Sequence, residues 1–294
     1  MQYIKDKIGV INTYFIYIFI TLCTFVLLLQ YIAFIPFNKR QFFEKDPSLS
    51  YYDTARDEMP VERLYMVSTI VPIIVLILVF YFNKLKWNNT PLSHFTKTQI
   101  FIFLLLTLVY TLLSTECVIQ MIKTFVSRPR PDFFYLCNYK GYADAIKNND
   151  FTEYNNNTTA NVLGNFDGCF NQHMVKKAVS SFPSNHAGMS FASMIFTTFS
   201  LQFLFDITNF FTLFGIISFS PLLISFQISL NRILVEKHHE SDIIGGIVIG
   251  FSCAFIAWNS FKNIIVQIPD DIEKHNTMLG NRMFRTQHPY QNIN

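Results

Sequence analysis

Six stretches of the chain contain no Lys, Arg, Asp or Glu: Ile8 to Asn38, Leu64 to Asn83, Thr98 to Thr115, Ala178 to Phe205, Ile207 to Asn231 and Ile243 to Phe261. They run from 18 to 31 residues. A helix needs about 20 apolar residues, each rising about 1.5 Å, to cross roughly 30 Å of hydrocarbon, so each stretch is long enough to span a bilayer. One such run could be a buried helix of a soluble protein, but six in one chain point to an all-α, six-span transmembrane bundle. The pattern predicts spans near 8–35, 64–83, 98–122, 187–205, 210–230 and 243–262. Asp206-Ile207-Thr208-Asn209 separates the fourth from the fifth, which predicts a tight turn and an antiparallel pair. The first run is too long for a cleavable signal peptide and lacks a small-x-small cleavage site; a signal anchor stays open. Residues 263–294 are polar, carry Pro269 and Pro289 and show no amphipathic period. They are expected to form a flexible cytosolic tail on a domain of residues 1–262.

Composition supports the membrane reading. Hydrophobic residues make up 51% of the 294, Phe alone accounts for 33, and only 15% are charged, where soluble proteins have roughly 25% charged residues. This excludes disordered, collagen-like, disulfide-scaffold and ordinary soluble classes. A net charge of +3 with no Lys/Arg block longer than a pair gives no reason to expect a nucleic-acid partner. The sequence carries no signal of oligomeric state.

An even number of spans puts both termini on one side and the loops 36–63, 124–186 and 231–242 together on the other. Basic residues orient this poorly. The loop from Lys84 to Lys97 has three Lys and no acid, which suggests cytosol, but loop 36–63 holds five Lys/Arg among six acids. The sequons Asn156-Asn157-Thr158 and Asn157-Thr158-Thr159 place the long loop on an extracellular or lumenal face, with Asn156 and Asn157 as glycan acceptors. Asn88-Asn89-Thr90 falls on the opposite face and should stay bare. Of five Cys, Cys23, Cys117 and Cys253 sit in or beside apolar spans; Cys137 and Cys169 share the long loop and are the candidate disulfide pair on an oxidising side.

Three polar clusters flank the spans. Lys123 to Asp132 contains Lys123, Arg128, Pro129, Arg130 and Pro131; as a span flank it needs no function. Ser180 to Gly188 contains Pro183-Ser184-Asn185-His186, where a helix start would supply N–H donors, a hydroxyl and a titratable ring, although an N-cap explains Ser184 equally well. Asn231 to Asp242 contains Arg232, His238, His239 and Asp242. His238 and Asp242 are four apart, so a helix starting nearby would let the carboxylate hold one ring nitrogen; His239, three before Asp242, is not excluded by spacing. A metal held by His238, His239 and Asp242 is also conceivable, but the cations Lys123, Arg130 and Arg232 would repel a metal and attract an anion. Together the clusters make a phosphate site containing a nucleophile.

The order K-x(6)-R-P, P-S-x-H, R-x(5)-H-x(3)-D resembles the type 2 phosphatidic acid phosphatase superfamily, to which the vanadium haloperoxidases also belong. Pro36-Phe37, Arg128-Pro129-Arg130-Pro131, Cys137 and Lys237-His238-His239-Glu240-Ser241-Asp242 make the eukaryotic lipid phosphate phosphatases the nearest likeness, over roughly residues 8 to 262. The resemblance implies a multi-pass protein of the plasma membrane or an endomembrane, with an extracytoplasmic active site that removes phosphate from phosphatidate, lysophosphatidate or sphingoid-base phosphates without metal or cofactor. It further implies that Lys123, Arg130 and Arg232 clamp the phosphate and that Ser184 and Asn185 hydrogen-bond it. His238 is then the nucleophile that becomes a phosphohistidine, Asp242 orients it, and His186 is the acid and base. The preference for His238 over His239 comes from this resemblance.

Two positions depart from the pattern: Asn185 stands where the family has Gly, and Asn231 where it has Ser. Asn tolerates a positive φ better than most residues with a Cβ and adds no negative charge, so it is expected to be the least damaging replacement in a phosphate-binding turn. A catalytically silent lipid-binding relative would be expected to lack His186, His238 or Arg232. A transporter would rely on Glu116, the acid within the third span, about 10 Å along the helix from Lys123.

Overall fold

The computed structural model describes residues 2–52, 59–82, 97–205 and 212–287. In chain order the helices are α1 (Gln2–Phe34), α2 (Val61–Phe82), α3 (Lys97–Val126), α4 (Phe133–Leu136), α5 (Tyr142–Asn148), α6 (Thr152–Asn157), α7 (Val175–Ala178), α8 (Asn185–Leu204), α9 (Leu213–Ile217), α10 (Pro221–Leu234) and α11 (Glu240–Gln287). Six segments are long and apolar enough to cross a membrane: Ile16–Phe34, Val61–Phe80, Thr98–Val126, Asn185–Leu204, Leu213–Leu234 and Glu240–Ile264. The fold is therefore all-α with six candidate spans, as the hydropathy pattern implies; among the described residues only two isolated bridges, Phe43 to Leu163 and Tyr139 to Cys169, have β geometry.

The fifth span, Leu213–Leu234, is built of two helices, α9 and α10, because Pro221 occupies the first turn of α10, where its missing N–H costs nothing and its ring favours a fresh start. One expectation needs correction. Residues beyond 262 continue α11 to Gln287, so the absence of an apolar stripe there did not mean absence of helix. The turn at Asp206 to Asn209 and the sequon at Asn88 lie outside the described residues.

Helix α8 is the centre of the bundle and packs on α2, α3, α10 and α11, while α1 lies against α3 and α11. Such burial requires its polar groups to be satisfied internally. The hydroxyls of Ser190, Ser193, Thr197, Thr198 and Ser200 each donate to a carbonyl three or four residues back, at 2.7–3.0 Å. At the end away from the polar clusters, Phe196, Phe203, Trp258 and Phe261 pack ring against ring.

The α8–α11 contact brings the backbones together. A Cβ added at Gly246 would sit 2.5 Å from the Ser184 carbonyl oxygen, and one at Gly250 would sit 2.3 Å from that of Gly188. Both obstacles are main chain and cannot rotate aside. Gly246→Ala is expected to destabilise by about 1–3 kcal/mol through overpacking and to lower activity, because Ser184 opens the functional site. Thermal unfolding in detergent checks this, and an unchanged midpoint would contradict the close-approach account.

Residues 36–52 and 127–181 build a second, aromatic core over one end of the bundle. Phe42 is its hub, with rings of Phe133, Phe134, Tyr139 and Phe166 at 4.8–6.0 Å. Glu44, 5% exposed, accepts from Tyr139 Oη (2.7 Å), Lys140 Nζ (2.5 Å) and the Thr159 N–H (2.9 Å). Burial opposes its charge, but these donors hold its carboxyl below the usual range. A disulfide joins Cys137 to Cys169, 32 residues apart, a closure that restricts the unfolded chain by about 3–4 kcal/mol. This cap anchors the ends of the segments that carry the site.

Candidate active site

Each polar cluster is positioned by a helix terminus. Lys123 lies in the last turn of α3 and is 8% exposed; its Nζ donates to the Ser180 carbonyl at 2.9 Å. After α3 the chain turns at Ser127 (φ 42°). Arg130 is then fixed by its N–H to the Ala178 carbonyl (2.8 Å) and by Nη2 to that of Ser180 (3.4 Å). Thus the first two clusters are joined through their backbones.

Ser184 is the N-cap of α8, and its Oγ accepts from the Ala187 N–H at 3.4 Å. Asn185 is the first residue of that helix, not a left-handed turn residue, which corrects the positive-φ expectation: Gly is not required there for backbone freedom. The Asn185 amide Nδ2 faces Tyr65 Oη at 3.4 Å. His186, 7% exposed, has Nε2 2.9 Å from the Met59 carbonyl, which orients the ring when Nε2 carries the proton.

Arg232, in the last turn of α10, is 1% exposed and hydrogen-bonds the side chain of Asn231. The helix then ends in a Schellman turn: Glu236 takes φ 50°, its N–H bonds the Ile233 carbonyl (3.0 Å), and the Lys237 N–H bonds that of Arg232 (3.1 Å). His238 follows directly and is 3% exposed.

Asp242 comes next to His238 by a route the spacing did not anticipate. His238 precedes α11, which starts at Glu240, and Asp242 in the first turn reaches back to the His239 N–H (Oδ2, 2.9 Å) as in a capping box. The same carboxylate lies 3.7 Å from His238 Nδ1, an ion-pair distance longer than a hydrogen bond. It accepts from Ser181 Oγ (2.5 Å) and from Arg128 Nη1 (2.7 Å). Arg128 and Ser181 were visible in the sequence only as neighbours of better candidates. His239 is half-buried, and its Nε2 is 3.3 Å from the Pro129 carbonyl.

Burial, with the Arg130 and Lys123 charges behind it, pushes the His238 ring below its ordinary pKa, although Asp242 pulls the other way. At neutral pH the ring is therefore neutral and keeps a lone pair on one of its nitrogens. His239 is shifted down too, by burial and by Arg128. The rings of His186 and His238 have centroids 6.5 Å apart, inclined at 57°. Lys237 Nζ pairs with the buried Asp132 at 2.9 Å, tying the third cluster to the first. Among the described residues no three His, Cys, Asp or Glu side chains converge to hold a metal ion.

The structure thus brings Lys123, Arg130, Ser184, Asn185, His186, Arg232, His238 and Asp242 to the capped end of the bundle, through hydrogen bonds and ion pairs that link the three clusters. Two imidazoles facing each other among buried cations can hold a tetrahedral anion between them.

The family model described as PAP2 superfamily matches residues 104–265. A protein of Schizosaccharomyces pombe named "Probable diacylglycerol pyrophosphate phosphatase 1" is 26% identical over 264 residues, covering 87% of this chain and 83% of its own. "Lipid phosphate phosphatase 2" of Arabidopsis thaliana is 28% identical over 214 residues, covering 71% of this chain and 64% of its own length. No solved structure matches the chain. The family match takes in more than half of the residues and all three clusters around His186 and His238, and the chain belongs to the PAP2 superfamily.

Proposed function

We propose that this chain is an integral membrane lipid phosphate phosphatase that hydrolyses lipid phosphomonoesters such as phosphatidate, lysophosphatidate and sphingoid-base phosphates through a phosphohistidine. The observation that carries the reading is the pair of imidazoles 6.5 Å apart, with His238 beside Asp242 and under the charges of Lys123 and Arg130. The names of the relatives agree with it.

The cations clamp the phosphoryl oxygens and the first N–H groups of α8 add donors. With Nδ1 turned to Asp242, His238 attacks phosphorus through Nε2; a P–N bond forms as the ester P–O bond breaks. His186 gives its proton to the departing alkoxide, so the lipid alcohol leaves neutral. Water then attacks phosphohistidine, His186 takes a proton from that water, the P–N bond breaks and inorganic phosphate leaves. No step calls for a metal, in keeping with the donor set around the site.

Phosphate release from a panel of lipid phosphates in detergent micelles tests the proposal. Turnover should persist in EDTA and be inhibited by vanadate, a mimic of five-coordinate phosphorus. Activity lost in EDTA and restored by magnesium would overturn the mechanism; no release from any lipid phosphate would overturn the function.

The site belongs, on this reading, to the extracellular or lumenal face of a plasma membrane or endomembrane. The Cys137–Cys169 disulfide and the sequons lie on the capped side with it, and disulfides persist in oxidising compartments. Asn156 and Asn157 are exposed. Expressed in a eukaryotic membrane, the chain should carry glycan at one of them and none at Asn88, as glycosidase treatment of single Asn→Gln variants would report. Glycan at Asn88 alone would invert the topology.

A further inference from the structure

The two loops that carry Arg130 and His238 are joined in a way the mechanism does not use. Residues 127–132 connect α3 to α4, and residues 235–239 connect α10 to α11. Pro129 and Pro131 have no N–H to give, so the first loop is poorly equipped to build a main-chain ladder against the second. Side chains bridge the two instead, at three points. Arg128 Nη1 pairs with Asp242 Oδ1 at 2.7 Å, the Pro129 carbonyl lies 3.3 Å from His239 Nε2, and Asp132 Oδ2 pairs with Lys237 Nζ at 2.9 Å.

The order of these contacts is antiparallel. As one chain advances from 128 to 132, its partners retreat from 242 to 237. Arg130 falls between the second and third contacts on one chain, and His238 falls between the same two contacts on the other, so the contacts bracket this pair. The charges are crossed as well. Each segment carries its cation first and its carboxylate last, so antiparallel alignment sets opposite signs together, whereas parallel alignment would set Arg128 against Lys237 and Asp132 against Asp242. The side chains of Asp132 and Asp242 are 1% and 0% exposed. Neither carboxylate can leave its cation without stranding a charge out of water.

We propose that Arg128, Asp132 and Lys237 are positioning residues for the reaction: with Asp242 they form two crossed ion bridges that hold Arg130 opposite the His238 imidazole, and so set the distance between clamped phosphorus and nucleophile. This rests on the phosphatase reading and adds three residues to it. A nucleophile misplaced by about 1 Å can cost on the order of a hundredfold in rate. A loosened bridge therefore slows phosphoryl transfer more than it weakens lipid binding.

The test measures kcat and KM of the full chain on dioctanoyl phosphatidate in detergent micelles, with the thermal unfolding midpoint read on the same samples. Asp132→Asn combined with Lys237→Met removes both charges of one bridge and strands neither. This neutral pair should keep its midpoint within about 4 °C of wild type, lose at least about tenfold in kcat and change KM by less than about threefold. Asp132→Lys combined with Lys237→Asp reverses the bridge and should recover most of the lost kcat. At the other bridge, Arg128→Lys, which keeps a cation beside Asp242, should lose less kcat than Arg128→Gln. A neutral pair that folds and turns over like wild type would refute the proposal. So would a kcat loss that follows a fallen midpoint and is not recovered by the reversed pair, since that bridge would support only the fold. A wild type inactive on lipid phosphates would refute the phosphatase reading and this inference with it.

Discussion

His238→Ala is expected to reduce lipid phosphate hydrolysis by about five orders of magnitude or more, the scale on which removing a nucleophile from a preorganised site is felt, whereas His239→Ala should stay within about tenfold of wild type. The two residues are adjacent, so the contrast tests geometry. His238 is 3% exposed, with its ring beside Asp242 and opposite His186. His239 contacts Asp242 through its backbone N–H, which alanine keeps; its ring nitrogen Nε2 lies 3.3 Å from the Pro129 carbonyl. Rapid-quench labelling with radiolabelled lipid phosphate should trap an acid-labile, base-stable phosphoenzyme in the wild type and in His239→Ala but none in His238→Ala. If His239→Ala were the dead variant, the assignment would be reversed.

Asp242→Asn should lower kcat by roughly a thousandfold or more, by analogy with removing the charge from the carboxylate that orients a catalytic histidine. Four groups depend on this side chain: Ser181 Oγ, the His239 N–H, Arg128 Nη1 and the His238 ring. An amide offers one acceptor oxygen and sets two hydrogens against donors. Arg128 loses its counter-charge at the same time. A kcat loss with KM little changed would mark a residue that acts through the nucleophile. A variant within tenfold of wild type on kcat would show that His238 is held by something else.

Much of this arrangement could be read from the chain. The spans announce themselves because hydrocarbon tolerates few charges, and the candidate site residues because their order matches a known pattern. What stayed hidden depends on long-range pairing. Arg128 looked like an ordinary flanking cation because its carboxylate partner is 114 positions away. Glu44 gave no signal for the same reason: Tyr139, Lys140 and Thr159 meet it only after two loops fold together. Asp242 comes to within 3.7 Å of His238 Nδ1 through a capping interaction and not through a shared helical face, which spacing alone could not show. Asn185 was misjudged because the phosphate-binding turn was imagined as a left-handed loop, when the residue opens a helix. The polar continuation of α11 illustrates that hydropathy reports where a chain meets lipid and not where a helix stops.

The turn after α10 fixes how this protein can vary. Arg232 and His238 are separated by a closed pair of main-chain rings, with Glu236 held left-handed between them. The number of intervening residues is therefore a mechanical gauge, while some of their side chains are nearly idle; Leu234 is 77% exposed. Drift of composition along this stretch can be wide, but adding or deleting one residue would rotate the His238 imidazole away from Asp242 and His186 even if every named side chain survived.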